Sequence, residues 1–308
     1  MHLPEGLTAR PLTDADADAR AVYEVMVAQE LHDMGTVEIE EADIVGDWQR
    51  PSFDISASTI GVFDGDHLVA YAEIGSEDRG DAAVHPRYRG RGIGTALAAW
   101  TRELARERGA TVFGMPVPKG SPADELLEGL GYYVRWNSWL LRLPEGTAIE
   151  AQPLPEGYRI RTAEGEADHR AAWTVIEDAF LQWSERDRRS FEDFRATTVD
   201  RPGFEPWHLR ILADADGNEA GACFLTLNGE VGYVSMLAVR RDRRGLGLAR
   251  ALLADAFTNA RERGATCCEL ATDSRTGALG LYERVGMVVT STWVHRAVDL
   301  RGATLPPG

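Results

Sequence analysis

The chain has 308 residues, 44 % hydrophobic and 27 % charged. At ~150 residues per domain it can fill two cores, which excludes disordered, collagenous and disulfide-scaffold readings. Its 33 Lys and Arg against 49 Asp and Glu leave a net charge of −16. That argues against a nucleic-acid partner, which needs a basic surface, and is compatible with cationic amine substrates. Three cysteines, Cys223, Cys267 and Cys268, form no CxxC or zinc spacing, so no metal is expected and a reducing cytoplasm is. The N-terminal stretch shows no signal-peptide pattern, and no apolar run reaches the ~20 residues of a membrane span.

In chain order, apolar spacing predicts strands or helices over 8–11 (strand), 16–29 (helix), 60–63, 68–74 and 82–85 (strands), 93–108 (helix), 111–115 (strand), 123–130 (helix) and 132–143 (strand). The acidic stretch from Gln29 to Phe53, with Glu38, Glu40, Glu41 and Asp43, reads as solvated surface. The order then repeats. Strand 159–162, helix 167–180, strands 209–213, 220–227 and 232–239, helix 248–263, strand 266–271, helix 277–285 and strand 288–298 follow. Between 180 and 207, Phe180, Trp183, Phe191, Phe194, Phe204 and Trp207 alternate with acids; this is either an acceptor wall or lid packing. His208 reads as an ordinary surface histidine.

The repetition is literal. Val84–Tyr132 laid over Val239–Met287, a constant shift of 155, needs no gap and matches at 18 of 49 positions. Composition alone would give roughly three. Arg106-Glu107-Arg108-Gly109-Ala110-Thr111 recurs as Arg261-Glu262-Arg263-Gly264-Ala265-Thr266. Prolines 144, 153 and 155 mark the seam, so domains of 1–148 and 149–308 are expected, each a mixed α/β sheet with flanking helices.

Each copy carries a strand, a glycine-rich loop and an amphipathic helix. The loops are Arg89-Gly90-Arg91-Gly92-Ile93-Gly94 and Arg244-Gly245-Leu246-Gly247-Leu248-Ala249. A strand feeding a helix N-terminus through small residues exposes amides and the positive end of the helix dipole, a cradle for a diphosphate. No Lys follows as a P-loop requires, and the spacing is not GxGxxG, so mononucleotide and dinucleotide readings fail. A tight turn that merely packs helix on sheet is the alternative.

The spacing (Gln or Arg)-x-x-Gly-x-(Gly or Ala) after a Val-ended strand, with Leu281-Tyr282-Glu283-Arg284-Val285-Gly286-Met287 downstream, resembles the GNAT superfamily of acyl-CoA N-acyltransferases. The resemblance covers nearly the whole chain, twice. The tandem arrangement is similar to that of mycothiol synthase-like actinobacterial acetyltransferases. It implies two duplicated GNAT-like domains with acetyl-CoA as co-substrate. The carrier would be held by Leu237, Ala238, Val239, Arg244, Gly245, Leu246, Gly247, Leu248, Ala249 and Arg250. The corresponding set in the first copy is Val84, Arg89, Gly90, Gly92, Gly94 and Thr95.

The resemblance further implies direct attack of an amine on the thioester, with Tyr282 protonating the departing sulfur. Leu127 stands at that place in the first copy, so the second domain is expected to catalyse and the first to bind carrier or serve as scaffold. Tyr233 occupies the position where several relatives have a basic carboxylate; Glu230 and Glu269 are the candidates for the base, with a water relay open. Asp273 and Arg275 stand where the family often has Asn. The expected partner is a small-molecule amine acceptor, with no nucleic acid or membrane, in a monomer or homodimer. A non-catalytic acyl-CoA-binding protein and a protein lysine acetyltransferase are the rival readings.

Overall fold

The computed structural model describes residues 1–13, 16–76, 78–150 and 153–301. The first copy runs β1 (Leu7–Arg10), α1 (Ala17–Asp33), α2 (Glu41–Trp48), α3 (Ile55–Ser58), β2 (Thr59–Asp64), β3 (His67–Ser76), β4 (Arg79–Val84), α4 (Ile93–Glu107), β5 (Val112–Pro118), α5 (Pro122–Gly129) and β6 (Tyr133–Leu143). The second runs β7 (Arg159–Thr162), α6 (Gly165–Phe180), α7 (Phe191–Thr197), β8 (Leu209–Ala213), β9 (Glu219–Asn228), β10 (Val231–Val239), α8 (Leu248–Glu262), β11 (Cys267–Asp273), α9 (Leu279–Arg284) and β12 (Val288–Asp299). Among the described residues no helix is long and apolar enough to cross a membrane.

The packing divides differently from the sequence. One compact unit holds Met1–Asn137 and the chain from Thr292 on; the other holds Ser138–Ser291. The first has strand order β1-β2-β3-β4-β5-β12, the second β7-β8-β9-β10-β11-β6. Each unit therefore finishes its sheet with the last strand of the other copy. The registers are equivalent: Met115 faces Arg296 and Leu270 faces Leu141, and the shift of 155 carries Met115 onto Leu270 and Leu141 onto Arg296. The expected cut between 148 and 149 follows the repeat, whereas the packing units follow strand pairing. A strand seeks a register and an apolar face, and both copies offer the same ones.

In both units every neighbouring pair is antiparallel except β4 with β5 and β10 with β11. In the second unit, Leu252, Leu253, Ala256, Phe257 and Ala260 of α8 fill one face of the sheet with Leu225, Val234 and Leu270. Ala172, Val175 and Ile176 of α6 with Phe191 and Phe194 of α7 cover the other face, over Leu209, Ile211 and Phe224.

Three short helices, α2, α3 and α7, lie where no regular element was expected, because each is too brief to show a helical period. The acidic stretch is only partly solvated surface. Ile44, Val45 and Trp48 of α2 are buried, and Glu40 and Asp43 close a capping box at its start. Phe191 and Phe194 belong to the core, where lid packing placed them. His208 departs from expectation: it is buried, its Nδ1 accepts the Glu205 N–H at 3.0 Å, and the Trp207 ring lies 4.1 Å away. Burial lowers its pKa to about 4, so the imidazole is neutral.

Candidate active site

In the second unit, β10 extends to Val239 and β11 to Asp273, yet their parallel pairing covers only Val231–Val234 against Cys267–Leu270. On its other side β10 stays paired with β9 as far as Val239, through a register shift between Val234 and Met236. The extra residue, Ser235, bends β10 away from β11. The two strands part beyond Val234 and Leu270 and open a wedge toward their C-terminal ends. The first unit also carries a register shift, but its extra residue, Gly75, lies on β3, the neighbour of β4. Among the described residues β4 and β5 pair only at Arg79 and Gly114.

At the wide end of each wedge lies the glycine-rich loop. Gly92 and Gly247, the N-caps of α4 and α8, have φ of 85° and 77°, a region that L side chains rarely enter. No side chain caps either helix, so first-turn amides lack an intrahelical acceptor. A Cβ added at Gly90, Gly92 or Gly245 would meet nothing within 4 Å. The surface above these residues is open, as a cradle requires, and their glycines do not serve internal packing. Gly94 is different: a Cβ there would meet Leu126 at 2.8 Å, so it lets α4 pack on α5. The expected carrier residues fall into place around this. Leu237 is half-buried and Ala238 and Val239 are buried on β10; Leu248 is buried, Ala249 and Arg250 are half-buried, and Leu246 is exposed. In the first unit Val84 is half-buried at the end of β4 and Thr95 is exposed on α4. The open cradles and uncapped amides fit an acyl-CoA diphosphate.

The arginines that begin the loops differ. Each sends its Nε to the carbonyl of the preceding valine, Arg89 to Val84 at 3.4 Å and Arg244 to Val239 at 3.3 Å. Arg89 also donates both terminal nitrogens to Asp33, at 2.6 and 2.8 Å. Among the described residues Arg244 has no such carboxylate.

Tyr282 lies on α9, 8 % exposed, in the core beneath α8. Burial, with a smaller contribution from nearby Cys223, pushes its phenol up to about 12, so it holds its proton at neutral pH. Leu127, its counterpart, is buried on α5 and has no proton to give. The loop before α9 is held by Asp273, which accepts the Arg275 N–H at 2.9 Å and its Nη2 at 2.6 Å. The Arg275 guanidinium lies 4.9 Å from the Trp183 ring centre.

Of the two base candidates, Glu230 sits in the exposed hairpin before β10, nine residues from Val239. At ~3.3 Å per residue the strand places it roughly 30 Å from the loop. Glu269 is buried on β11 beside Tyr233 and opposite Arg142, whose Nε and Nη2 approach it at 2.6 and 2.5 Å. That pairing holds its Oε1 against the guanidinium and turns it away from a role at the loop.

Sequence reading missed a polar row in the first unit. Thr59, Glu73 and Asp81 stand side by side across β2, β3 and β4. Glu73 accepts the Trp48 indole N–H at 2.9 Å. Desolvation raises Glu73 to about 7 and Asp81 to about 6. Nearby, Glu30 is buried and its carboxylate accepts the N–H groups of Glu38 and Ile39 at 2.6 and 3.1 Å; its pKa too is raised by desolvation. No motif announces the row, because its members are distant in sequence and meet only through register.

Comparison with known proteins agrees with this geometry. The acetyltransferase (GNAT) family model matches twice, at residues 20–132 and 170–287. A mycothiol acetyltransferase of Thermobispora bispora is 30% identical over 235 residues, covering 73% of this chain and 78% of that protein. A GCN5-related N-acetyltransferase from Sphaerobacter thermophilus superposes with TM-score 0.74 at 28% identity, covering 98% of both chains. A tandem GNAT protein from the clavulanic acid biosynthesis pathway has the same fold, with TM-score 0.72 at 21% identity over 97% of this chain and all of that one. The chain belongs to the GNAT acetyltransferase family as a tandem of two such domains, an N-acetyltransferase enzyme with acetyl-CoA as its co-substrate.

Proposed function

We propose that the second unit transfers the acetyl group of acetyl-CoA to the amine of a small-molecule acceptor. The observation that carries this reading is one juxtaposition: a bulged strand parting from its parallel neighbour, an open glycine cradle at the mouth, and a buried protonated tyrosine on the next helix. Loop amides from Gly245 to Arg250 receive the diphosphate, Leu237–Val239 flank the pantetheine arm, and a β10 amide beyond the bulge steadies the carbonyl oxygen as it gains charge. A neutral amine attacks the thioester carbon; the new C–N bond forms, the C–S bond breaks, and the amine proton leaves. At about 12 the Tyr282 phenol is a weaker acid than an ordinary thiol at ~8.5. Its first contribution is therefore a hydrogen bond to the departing sulfur, and the proton shed by the amine balances whatever Tyr282 gives up. A water relay serves as base, since Glu230 is remote and Glu269 is committed to Arg142.

The relatives named mycothiol acetyltransferase make acceptors of the mycothiol class the first to try. The test is acetyl-CoA with that class, a panel of other small amines and a lysine peptide, read by thiol release. Turnover with a small amine that falls with Tyr282→Phe supports the reading. Turnover with the lysine peptide alone, or turnover indifferent to Tyr282→Phe, refutes it.

A further inference from the structure

We infer that the chain holds one equivalent of acetyl-CoA, at the second loop, because Asp33 closes the first; this rests on the carrier-binding role proposed for the glycine loops. The two cradles share their first two glycines, their left-handed N-caps and their open faces, and they differ at Gly94 against Ala249 and at the exposed Arg91 against Leu246. The decisive difference lies under the first residue of each. Asp33 is the last residue of α1, and its side chain is 2 % exposed. Its two oxygens take both terminal nitrogens of Arg89, and the third nitrogen goes to the Val84 carbonyl. The guanidinium has no fork left for a phosphate. The buried carboxylate keeps that guanidinium occupied, and the pair as a whole offers an incoming dianion no net positive charge.

In the second unit the corresponding helix ends at Phe180, and the chain continues through Leu181, Gln182 and Trp183, which bring no acid. Arg244 keeps only the valine carbonyl among the described residues, and its terminal nitrogens remain for a ligand. Acids do lie near this loop. Asp242 and Glu150, paired with Arg240 and Arg250, are exposed and screened by water. Asp214 is shielded, but it accepts the N–H groups of Asp216 and Asn218 and is 3.3 Å from Arg243. The first turn of α8 also carries Arg250 where α4 has Thr95. A charged fork placed for bidentate contact with phosphate is the strongest single recognition element such a loop can add.

Native mass spectrometry and calorimetric titration with acetyl-CoA decide it. The wild-type chain should take up one equivalent, Arg244→Ala should weaken it tenfold or more, and Arg89→Ala should not lower the count. Asp33→Asn should admit a second equivalent; Asp33→Ser serves if the first replacement does not fold. Two equivalents of similar affinity in the wild type overturn the inference, as does a single equivalent lost with Arg89→Ala instead of Arg244→Ala. A count that stays at one in both Asp33 variants overturns the part given to Asp33. No uptake by the wild type sinks the proposed function itself, a result separate from any of these.

Discussion

The same cross-strand row has been filled in opposite ways in the two units. Thr59, Glu73 and Asp81 line up across β2, β3 and β4; Leu209, Phe224 and Met236 line up across β8, β9 and β10. The positions correspond, because the shift of 155 carries Asp81 onto Met236 and the remaining members follow from the pairing. In the second unit the row is ordinary core beneath α6 and α7. In the first it confines two carboxylates beneath α1 and α2, where desolvation raises both and a single indole N–H reaches Glu73. One backbone thus carries either packing or trapped charge, and only the unit with the packed row retains the tyrosine. The lesson is that a repeated scaffold says where chemistry can sit, and the side chains of each copy say whether it does.

The largest effect that would break this comparison is kinetic. Tyr282→Phe should lower kcat by roughly 10–10²-fold, the loss of one hydrogen bond to the departing sulfur, while Leu127→Ala should change turnover only through stability. Thiol-release assays on both variants check it, and equal losses would mean that the units share the work.

Next comes stability against pH. Glu73 titrates at about 7 folded and near ~4.3 unfolded. Below the unfolded value both states are protonated and no penalty exists. As pH rises toward 7, the unfolded chain releases its proton first, so stability falls, by about 3–4 kcal/mol in all. Asp81, raised to about 6, acts in the same direction. Thermal unfolding of the wild type should therefore move to lower temperature between pH 5 and pH 8. Glu73→Gln should flatten the trend and exceed the wild type at pH 8. Met236→Asp should create the same slope in the second unit. An unchanged slope in Glu73→Gln would show that the row does not carry the penalty.

A smaller effect separates the loops. Arg244→Ala should raise the KM for acetyl-CoA about tenfold with kcat little altered, the loss expected for one charge-assisted contact of ~1.5 kcal/mol. Smallest is Trp48→Phe. It removes the indole donor to Glu73, costs about 1 kcal/mol, and shifts the pH slope to higher pH because the ionised carboxylate loses the Trp48 hydrogen bond.

Much of the architecture was legible in the chain. Residues 209–213 and 159–162 form strands with the expected ends, and the helices starting at Ile93 and Leu248 begin where their glycine loops place them. These features are local: a period, a cap, a breaker. The loops were readable for the same reason. What could not be read depends on register and on partners far along the chain. Asp33 lies 56 residues before Arg89, and Arg142 lies 127 before Glu269. Glu230 looked suitable because it starts the right strand, but a strand nine residues long separates it from the glycine loop. The boundary between packing units was invisible too, since β6 and β12 are alike enough in pattern to fit either sheet.

That exchange of closing strands bears on how such a chain can change. Deleting either half would strip its neighbour of a border and leave raw amides and carbonyls along an unzipped margin, an invitation to aggregate. Mutual tenancy of this kind would let one half lose its reaction while forbidding it to disappear, because its last strand still serves as masonry for the other.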